Sequence, residues 1–372
     1  ATSLPPDALP QTPVWVGDRL YLSNAFANGP TNGEQAITLW LYSAGIAKPV
    51  AAIGDAATWD LLKTEPYRKL WPAGIDINST KSGRATFAWS DLDGDGRPQP
   101  NEVRIVATDV PGFFTLDQEL GVTTSTARRY VPASITAGGA PIYDLTRSTT
   151  LAAGGRAPDT SGGGQVIAAR DGWTVFTWPP APLSGAYVAG TKNGKLDWTY
   201  PVDFIGLGMS QLSKPPHREG EVIGTTRLLG STVKTSRGIE LWAINGNYGQ
   251  VFLFTTDGLL LATLFQDSRV APPWPEVEQR GANLDTVSLG QECFYPSIQQ
   301  MSDGRVYLIA GQPFAAIFEI TGLDSIQRLS VQPLTVTTAD AAAAQQFRQI
   351  RSPEAPPPTG YDKTQPSASA KK

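Results

Sequence analysis

The sequence has almost no residues from which a disulfide or a zinc site could be built. Its 372 residues include one cysteine, Cys293, and one histidine, His217. A single cysteine excludes an internal disulfide, and one cysteine with one histidine cannot supply the four ligands of a His/Cys zinc site. A nucleophilic cysteine would need an activating base close by, so we interpret Cys293 as a buried apolar residue.

Charge is scarce as well. Charged residues make up 17% of the chain, the net charge is -4 and the isoelectric point is about 5.2. A typical soluble chain has roughly a quarter of its residues charged, and a nucleic-acid binder needs a basic face. No apolar run approaches the roughly 20 residues of a membrane-spanning helix. We therefore expect neither a nucleic-acid partner nor a membrane span.

Glycine, proline and tryptophan are abundant instead. The chain contains 37 glycines, 31 prolines and 10 tryptophans. This composition is typical of many short strands that are joined by tight turns, with aromatic side chains filling the space between sheets. It predicts an all-β protein.

One stretch, Asp91–Glu102, has the spacing of a metal-binding loop. Aspartate stands at its first, third and fifth positions, glycine at its sixth and glutamate at its twelfth. The stretch resembles the calcium loop of EF-hand and dockerin-type modules, in which alternate side chains turn inward to supply oxygen ligands. Three aspartates this close together repel each other unless a cation is present. The ligands predicted for one Ca²⁺ are Asp91, Asp93, Asp95, the main-chain carbonyl of Arg97, and Glu102.

The flanks of this loop depart from the EF-hand pattern. An EF-hand has a helix on each side, whereas Ala85–Ser90 alternates in hydrophobicity and 103–106 is also typical of a strand. Position eight is Pro98, where paired EF-hands use an aliphatic residue, and no second loop of this kind occurs in the sequence. The prediction is a single calcium clasp within a β fold.

Later segments follow a strand, turn, strand pattern. Asn193–Tyr200, an Asn-Gly turn leading into a tryptophan-containing strand, resembles the blade ending of quinoprotein-like propellers, and Gly249–Leu264 resembles an NHL-type blade. At ~40–50 residues per blade, about 320 residues predict a β-propeller of roughly seven blades. A pair of β-sandwich domains is the alternative. The cofactors of quinoproteins are not implied, because no corresponding site is evident.

The predicted organisation has four parts. Residues 1–13 form an extended lead-in, 14–335 the propeller, 336–351 a short C-terminal helix, and 352–372 a disordered tail or linker. The last part is rich in proline, serine and lysine, a composition that cannot bury a core.

The function predicted from these features is a secreted, calcium-binding propeller that acts as a binding or scaffold module for a polysaccharide or a cell-surface partner. Weak calcium loops suit compartments with millimolar calcium, so we expect an extracellular or periplasmic location. The alternative is a carbohydrate-active enzyme, either a glycosidase or a polysaccharide lyase. Its candidate ligand-binding group is His217, Arg218 and Glu219, where the arginine would neutralise a uronate. No catalytic residue is assigned.

Overall fold

The computed structural model describes residues 4–26, 34–78, 84–108, 114–152, 165–177, 187–201, 222, 225–246, 248–274, 280–291, 297–310, 316–330 and 335–351. The chain divides into two compact units, Ala1–Asp324 and Ser325–Lys372. Every described β-strand lies in the first unit, and the second contains helix α1, Thr338–Arg351. The predicted tail, 352–372, lies outside the described residues. Within the described part of the chain, no helix is both long enough and apolar enough to cross a bilayer.

The first sheet holds the predicted metal loop. Its six strands form a meander in which each strand pairs antiparallel with the next. The strands are β1 Thr12–Val16, β2 Arg19–Ser23, β3 Ala36–Ser43, β4 Ile46–Asp55, β5 Ala85–Ser90 and β6 Val103–Ala107. Pro49 in β4 lies at a register shift opposite Trp40, because proline has no N–H to donate to the ladder.

Short 3₁₀ helices lie between β4 and β5 and before β6. Asp55 caps the first of them through a hydrogen bond from Ala57 N to Asp55 Oδ1, 3.0 Å long. The sequence predicts a short helix after Asp55; the structure forms consecutive 3₁₀ turns there instead. The bounds of the 3₁₀ helices in this sheet are Ala56–Thr58, Asp60–Lys63, Tyr67–Leu70 and Pro100–Glu102.

The remaining sheets follow in chain order. One four-stranded sheet has the order β12-β9-β8-β7, a second has β13-β14-β15-β16, and β10 pairs with β11 alone. The strands are β7 Phe114–Leu116, β8 Val122–Thr124, β9 Arg128–Tyr130, β10 Pro132–Ile135, β11 Pro141–Tyr143, β12 Thr149–Thr150, β13 Val166–Ala168, β14 Trp173–Phe176, β15 Tyr187–Lys192 and β16 Lys195–Pro201.

The last two sheets of the first unit have five and three strands. The five-stranded sheet has the order β17-β19-β20-β21, with β18 also paired to β19, and the final sheet has the order β22-β23-β24. The strands are β17 Thr225–Leu228, β18 Val233–Lys234, β19 Glu240–Gly246, β20 Val251–Thr255, β21 Leu260–Leu264, β22 Ser297–Gln300, β23 Val306–Ala310 and β24 Ala316–Ile320. A further 3₁₀ helix spans Leu323–Ser325.

The described part of the first unit is an all-β, propeller-like arrangement of small antiparallel sheets. Five of the described sheets have three or more strands, so the arrangement has five blades and the prediction of roughly seven is wrong. The prediction assumed blades of equal length. The first sheet instead uses six strands and extends from Thr12 to Ala107. Its length in sequence also includes residues 56–70, here called the 3₁₀ segment, and the metal loop.

Two apolar clusters cover opposite faces of β5. The main cluster joins Ala88 to side chains from the sheets that follow, among them Phe114, Val175 and Phe254. A second cluster packs the 3₁₀ segment onto the first sheet; its members include Trp59, Leu62, Tyr67, Phe87, Trp89 and Val103. All six residues of β5 are buried as a result. The metal loop therefore begins at the end of a strand that is enclosed on both faces.

Candidate metal centre

The predicted loop connects two directly paired strands. Trp89 in β5 is opposite Val103 in β6, so residues 91–102 form the end of a β-hairpin. The first aspartate is still attached to the sheet, because Asp91 N donates to Val50 O at 2.9 Å. The loop is thus anchored by a strand at the position where an EF-hand has a helix.

Asp91 folds the first half of the loop around its own carboxylate. Its Oδ1 accepts hydrogen bonds from Gly94 N at 3.0 Å and from Gly96 N at 3.1 Å. Both glycines have positive φ, +83° and +71°, a conformation that glycine adopts without steric cost. These turns bring the loop back over the Asp91 side chain.

The second oxygen of Asp91 differs from the first. The residue is only 3% exposed, and Oδ2 accepts no hydrogen bond. Lys48 Nζ lies 3.4 Å from this oxygen and donates to Gly94 O at 3.0 Å. Burying a carboxylate oxygen without a hydrogen-bond donor is costly, and the charge of Lys48 compensates part of that cost.

In Asp93 and Asp95, as in Asp91, the two carboxylate oxygens have different partners. Asp93 Oδ1 accepts from Asp95 N at 3.1 Å, and Asp95 Oδ1 accepts from Arg97 N at 2.7 Å. The two Oδ2 atoms share one donor, Gln99 Nε2, at 3.0 Å each. One oxygen of each carboxylate therefore shapes the backbone, while the other faces a side-chain donor.

Glu102 has a different environment from the aspartates. Its Oε1 accepts from Leu92 N at 2.7 Å and from Asp93 N at 3.4 Å, and its Oε2 accepts from Trp89 Nε1 at 3.1 Å and from Gln99 N at 3.3 Å. The residue is 5% exposed. Glu102 thus holds together both ends of the loop and the strand before it.

A tyrosine connects the loop to the second apolar cluster. The Tyr67 hydroxyl donates to Pro98 O at 2.6 Å. Burial and the nearby Glu102 carboxylate raise the pKa of Tyr67, so the hydroxyl keeps the proton that it donates. The loop is held by this contact to the 3₁₀ segment as well as to its own strands.

The structure brings together three of the five predicted ligands. One carboxylate oxygen from each of Asp91, Asp93 and Asp95 lies within 4.8 Å of the others. This group does not include Glu102. Three convergent carboxylates form a hard-oxygen donor set of the kind that calcium prefers, and the buried Oδ2 of Asp91 lacks a hydrogen-bond donor. The described residues fit a calcium ion on both counts.

Other sequence predictions cannot be placed. His217, Arg218 and Glu219, the candidate ligand-binding group, lie outside the described residues, as does Cys293. Lys48, in contrast, is a contact that sequence reasoning missed. It comes from β4, and no local spacing signals its approach.

A shallow cavity of about 380 Å³ lies between the last two described sheets. Three of its charged side chains are engaged with neighbours: Arg305 Nη2 lies 2.7 Å from Asp303 Oδ2, and Asp324 Oδ1 accepts from Ser236 Oγ at 2.6 Å.

Comparisons with known proteins identify no family. No protein-family model and no curated protein matches the chain. Among solved structures, the chain is similar to Hsv2 of Kluyvelomyces marxianus, with 10% identity over 87% of this chain and 76% of that one and a TM-score of 0.33. It is similar to BamB of Moraxella catarrhalis, with 11% identity, coverage of 86% and 92%, and a TM-score of 0.29. It is also similar to the allergen Mala s 1 of Malassezia sympodialis, with 10% identity, coverage of 88% of this chain and 99% of that one, and a TM-score of 0.35. Similarities this low carry no argument about function.

Proposed function

We propose that the protein is a calcium-stabilised propeller that serves as a binding or scaffold module. The observation that carries the proposal is the buried carboxylate of Asp91, which belongs to a three-carboxylate group and whose Oδ2 accepts no hydrogen bond. A cation bound there would satisfy this oxygen and relieve the repulsion among the three charges.

The ligand chemistry favours calcium over magnesium. The group offers only oxygen atoms, and calcium takes six to eight oxygen ligands in a flexible arrangement. Asp91, Asp93 and Asp95 would hold the ion, with the Arg97 carbonyl and Glu102 completing the set. Glu102 would have to exchange some of its present hydrogen bonds for the ion. Magnesium gives up its water reluctantly and requires a tighter octahedron, so it would bind more weakly.

The role proposed for the ion is structural. The loop joins β5 to β6, and β5 contributes to both apolar clusters. An ion that fixes the loop would therefore fix the pairing of these two strands and the position of the 3₁₀ segment packed on them. No step of catalysis is required of it.

The tryptophans do not favour a sugar as the partner over another surface ligand. A ring that stacks on a sugar needs an open face, and the nine tryptophans in the described residues are buried or half-buried. Trp59, Trp89 and Trp242 are among the largest fully buried side chains. Within the proposal, a polysaccharide and a cell-surface protein both stay candidate partners.

Calorimetric titration of chelator-treated protein with calcium tests the proposal. We expect one calcium per chain with a Kd nearer ~10⁻⁴ M than the nanomolar range, because the loop has no paired partner loop. Asp93→Ala should abolish binding, since it removes one carboxylate of the group. The matched control, Asp197→Ala, changes an exposed aspartate on β16 and should bind as the wild type does.

The same titration bears on location. A Kd near ~10⁻⁴ M would match an extracellular or periplasmic environment, where calcium is about millimolar. Absence of binding by the wild type, or equal binding by Asp93→Ala, would contradict the proposed site. A nanomolar Kd would leave the site intact but remove the argument for secretion.

A further inference from the structure

We propose that the Lys48 ammonium is a built-in cation of the loop, which calcium must displace, and that Lys48 therefore sets the calcium affinity. This inference rests on the proposed calcium site. It assigns a role in calcium affinity to a residue that lies 43 positions before the first aspartate and outside the loop's own sequence pattern.

The position of the ammonium carries the inference. Nζ lies 3.4 Å from Asp91 Oδ2, the one buried side-chain oxygen of the loop without a hydrogen bond, and also donates to Gly94 O at 3.0 Å. An ion bound to Oδ2 would be a second positive charge at the same oxygen. Two cations cannot share this position without strong repulsion, because Coulomb energy grows as the distance falls and as water is excluded.

The backbone of the loop leaves room for the lysine. A Cβ added at Gly96 would lie 3.3 Å from Lys48 Cγ, and one added at Gly94 would lie 3.8 Å from Nζ. The lysine side chain thus crosses the face that these two glycines leave open. Because Lys48 is paired with Leu41 of β3, the lysine approaches from a strand within the sheet rather than from a loop.

This geometry separates the effects of Lys48 on the two states of the protein. Without calcium, the ammonium compensates a carboxylate whose side chain is 1% exposed, so the lysine stabilises the loop. With calcium, the same ammonium competes with the ion. Removal of Lys48 should therefore lower the stability of the calcium-free protein and raise the affinity for calcium. A residue with a purely structural role would lower both.

The experiment compares the wild type with Lys48→Met and Lys48→Arg by calorimetric titration with calcium and by urea unfolding in chelator. Lys48→Met should bind calcium about fivefold more tightly or better, the factor that corresponds to a partly exposed ion pair, while unfolding at a lower urea concentration. Lys48→Arg keeps the charge and should retain the weaker binding. Lys195→Met, an exposed lysine on β16, is the matched control and should change neither quantity.

The outcomes distinguish this inference from the proposed function. If the wild type binds calcium and Lys48→Met binds it equally or more weakly, the inference is overturned and the calcium site stands. If only Lys48→Met binds, the ammonium excludes the ion from the wild type: the competition inferred here is supported, and the proposed function of the wild-type protein fails. If neither protein binds, both proposals fail. Lys48→Gln provides a second neutral variant should the methionine variant not fold.

Discussion

At the scale of single residues, Glu102 has two possible roles that a mutation can separate. The twelfth position of the loop predicts a calcium ligand, whereas the structure gives its carboxylate four hydrogen bonds from Trp89, Leu92, Asp93 and Gln99. A ligand matters only when the metal is bound. A buried acceptor of this kind matters in its absence too.

Glu102→Gln should destabilise the protein even in chelator. The amide can present an oxygen to only one pair of donors and turns its NH₂ group toward the other pair, so buried donors lose their acceptor. We expect the free energy of unfolding to fall by about 1–3 kcal/mol, measured by urea denaturation with chelator present.

Glu319→Gln, which changes an exposed glutamate on β24, is the control and should leave this free energy unchanged. An unaltered unfolding curve for Glu102→Gln in chelator would mean that the four hydrogen bonds contribute no net stability and that Glu102 acts only as a ligand.

The site was predictable from sequence only in its local part. Alternate aspartates followed by glycine predict that Asp91, Asp93 and Asp95 converge, and the structure brings one oxygen of each within 4.8 Å. The contact with Lys48 was not predictable, because it depends on how β4 pairs with β5 rather than on spacing within the loop. The hydrogen bond from Tyr67 to Pro98 was not predictable for the same reason, because the two residues are 31 positions apart in sequence.

At the scale of elements, one tryptophan connects two neighbouring blades. Trp198 of β16 stacks on Trp242 of β19 with ring centroids 6.1 Å apart, and its Nε1 donates to Thr256 O at 2.9 Å. Two glycines make this possible. A Cβ at Gly190 would lie 2.1 Å from Trp198 Nε1, and one at Gly258 would lie 2.6 Å from Cδ2.

Gly190→Ala should therefore loosen the contact between these two blades. The added methyl group cannot coexist with the indole at 2.1 Å, so Trp198 must shift and its stacking on Trp242 must change. Overpacking of this kind costs about 1–3 kcal/mol. The fall should appear as a lower midpoint in urea unfolding, with a changed tryptophan emission spectrum in the native state.

Gly138→Ala tests whether any glycine substitution has this effect. The nearest atom to a Cβ at Gly138 would be Thr136 Oγ1 at 3.8 Å, so the change should be nearly neutral. Equal unfolding midpoints for Gly190→Ala and Gly138→Ala would show that the indole has room to shift without cost.

Several elements were predictable because their signals are local. The alternating segment Ala85–Ser90 is strand β5, and the Asn-Gly turn at Asn193 closes β15 onto β16. The helix predicted after Asp55 forms as 3₁₀ turns. Its cap was correctly recognised, but the apolar residues Trp59 and Leu62 are used to cover the sheet, which outweighs the preference for a longer regular helix.

At the scale of the whole molecule, the all-β class and the propeller-like arrangement were predicted correctly, whereas the number of blades was not. Composition and repeated strand-turn patterns are enough to predict the all-β fold class. Blade number depends on how many strands each sheet receives, and the described sheets range from two to six strands. The number of strands in each sheet depends on pairing between strands that are distant in sequence, and local sequence patterns do not predict such pairing.

The same whole-molecule view predicts how calcium should affect unfolding. The main apolar cluster extends from Val14 in the first sheet to Phe254 in the five-stranded sheet, and β5 links it to the second cluster beside the metal loop. Stabilisation of the loop should therefore be shared by the whole first unit rather than remain local.

We expect one cooperative transition for the first unit that shifts as a whole when calcium is added. Calcium at ~100 times Kd should add about 2.7 kcal/mol to the free energy of unfolding, because it binds the folded state alone. Tryptophan fluorescence and far-ultraviolet circular dichroism should report the same midpoint in urea, both with calcium and in chelator. Asp93→Ala serves as the control whose midpoint calcium should not move. If calcium shifts the fluorescence transition and leaves the circular dichroism transition in place, the 3₁₀ segment and the metal loop unfold separately from the blades, and β5 does not couple the two clusters.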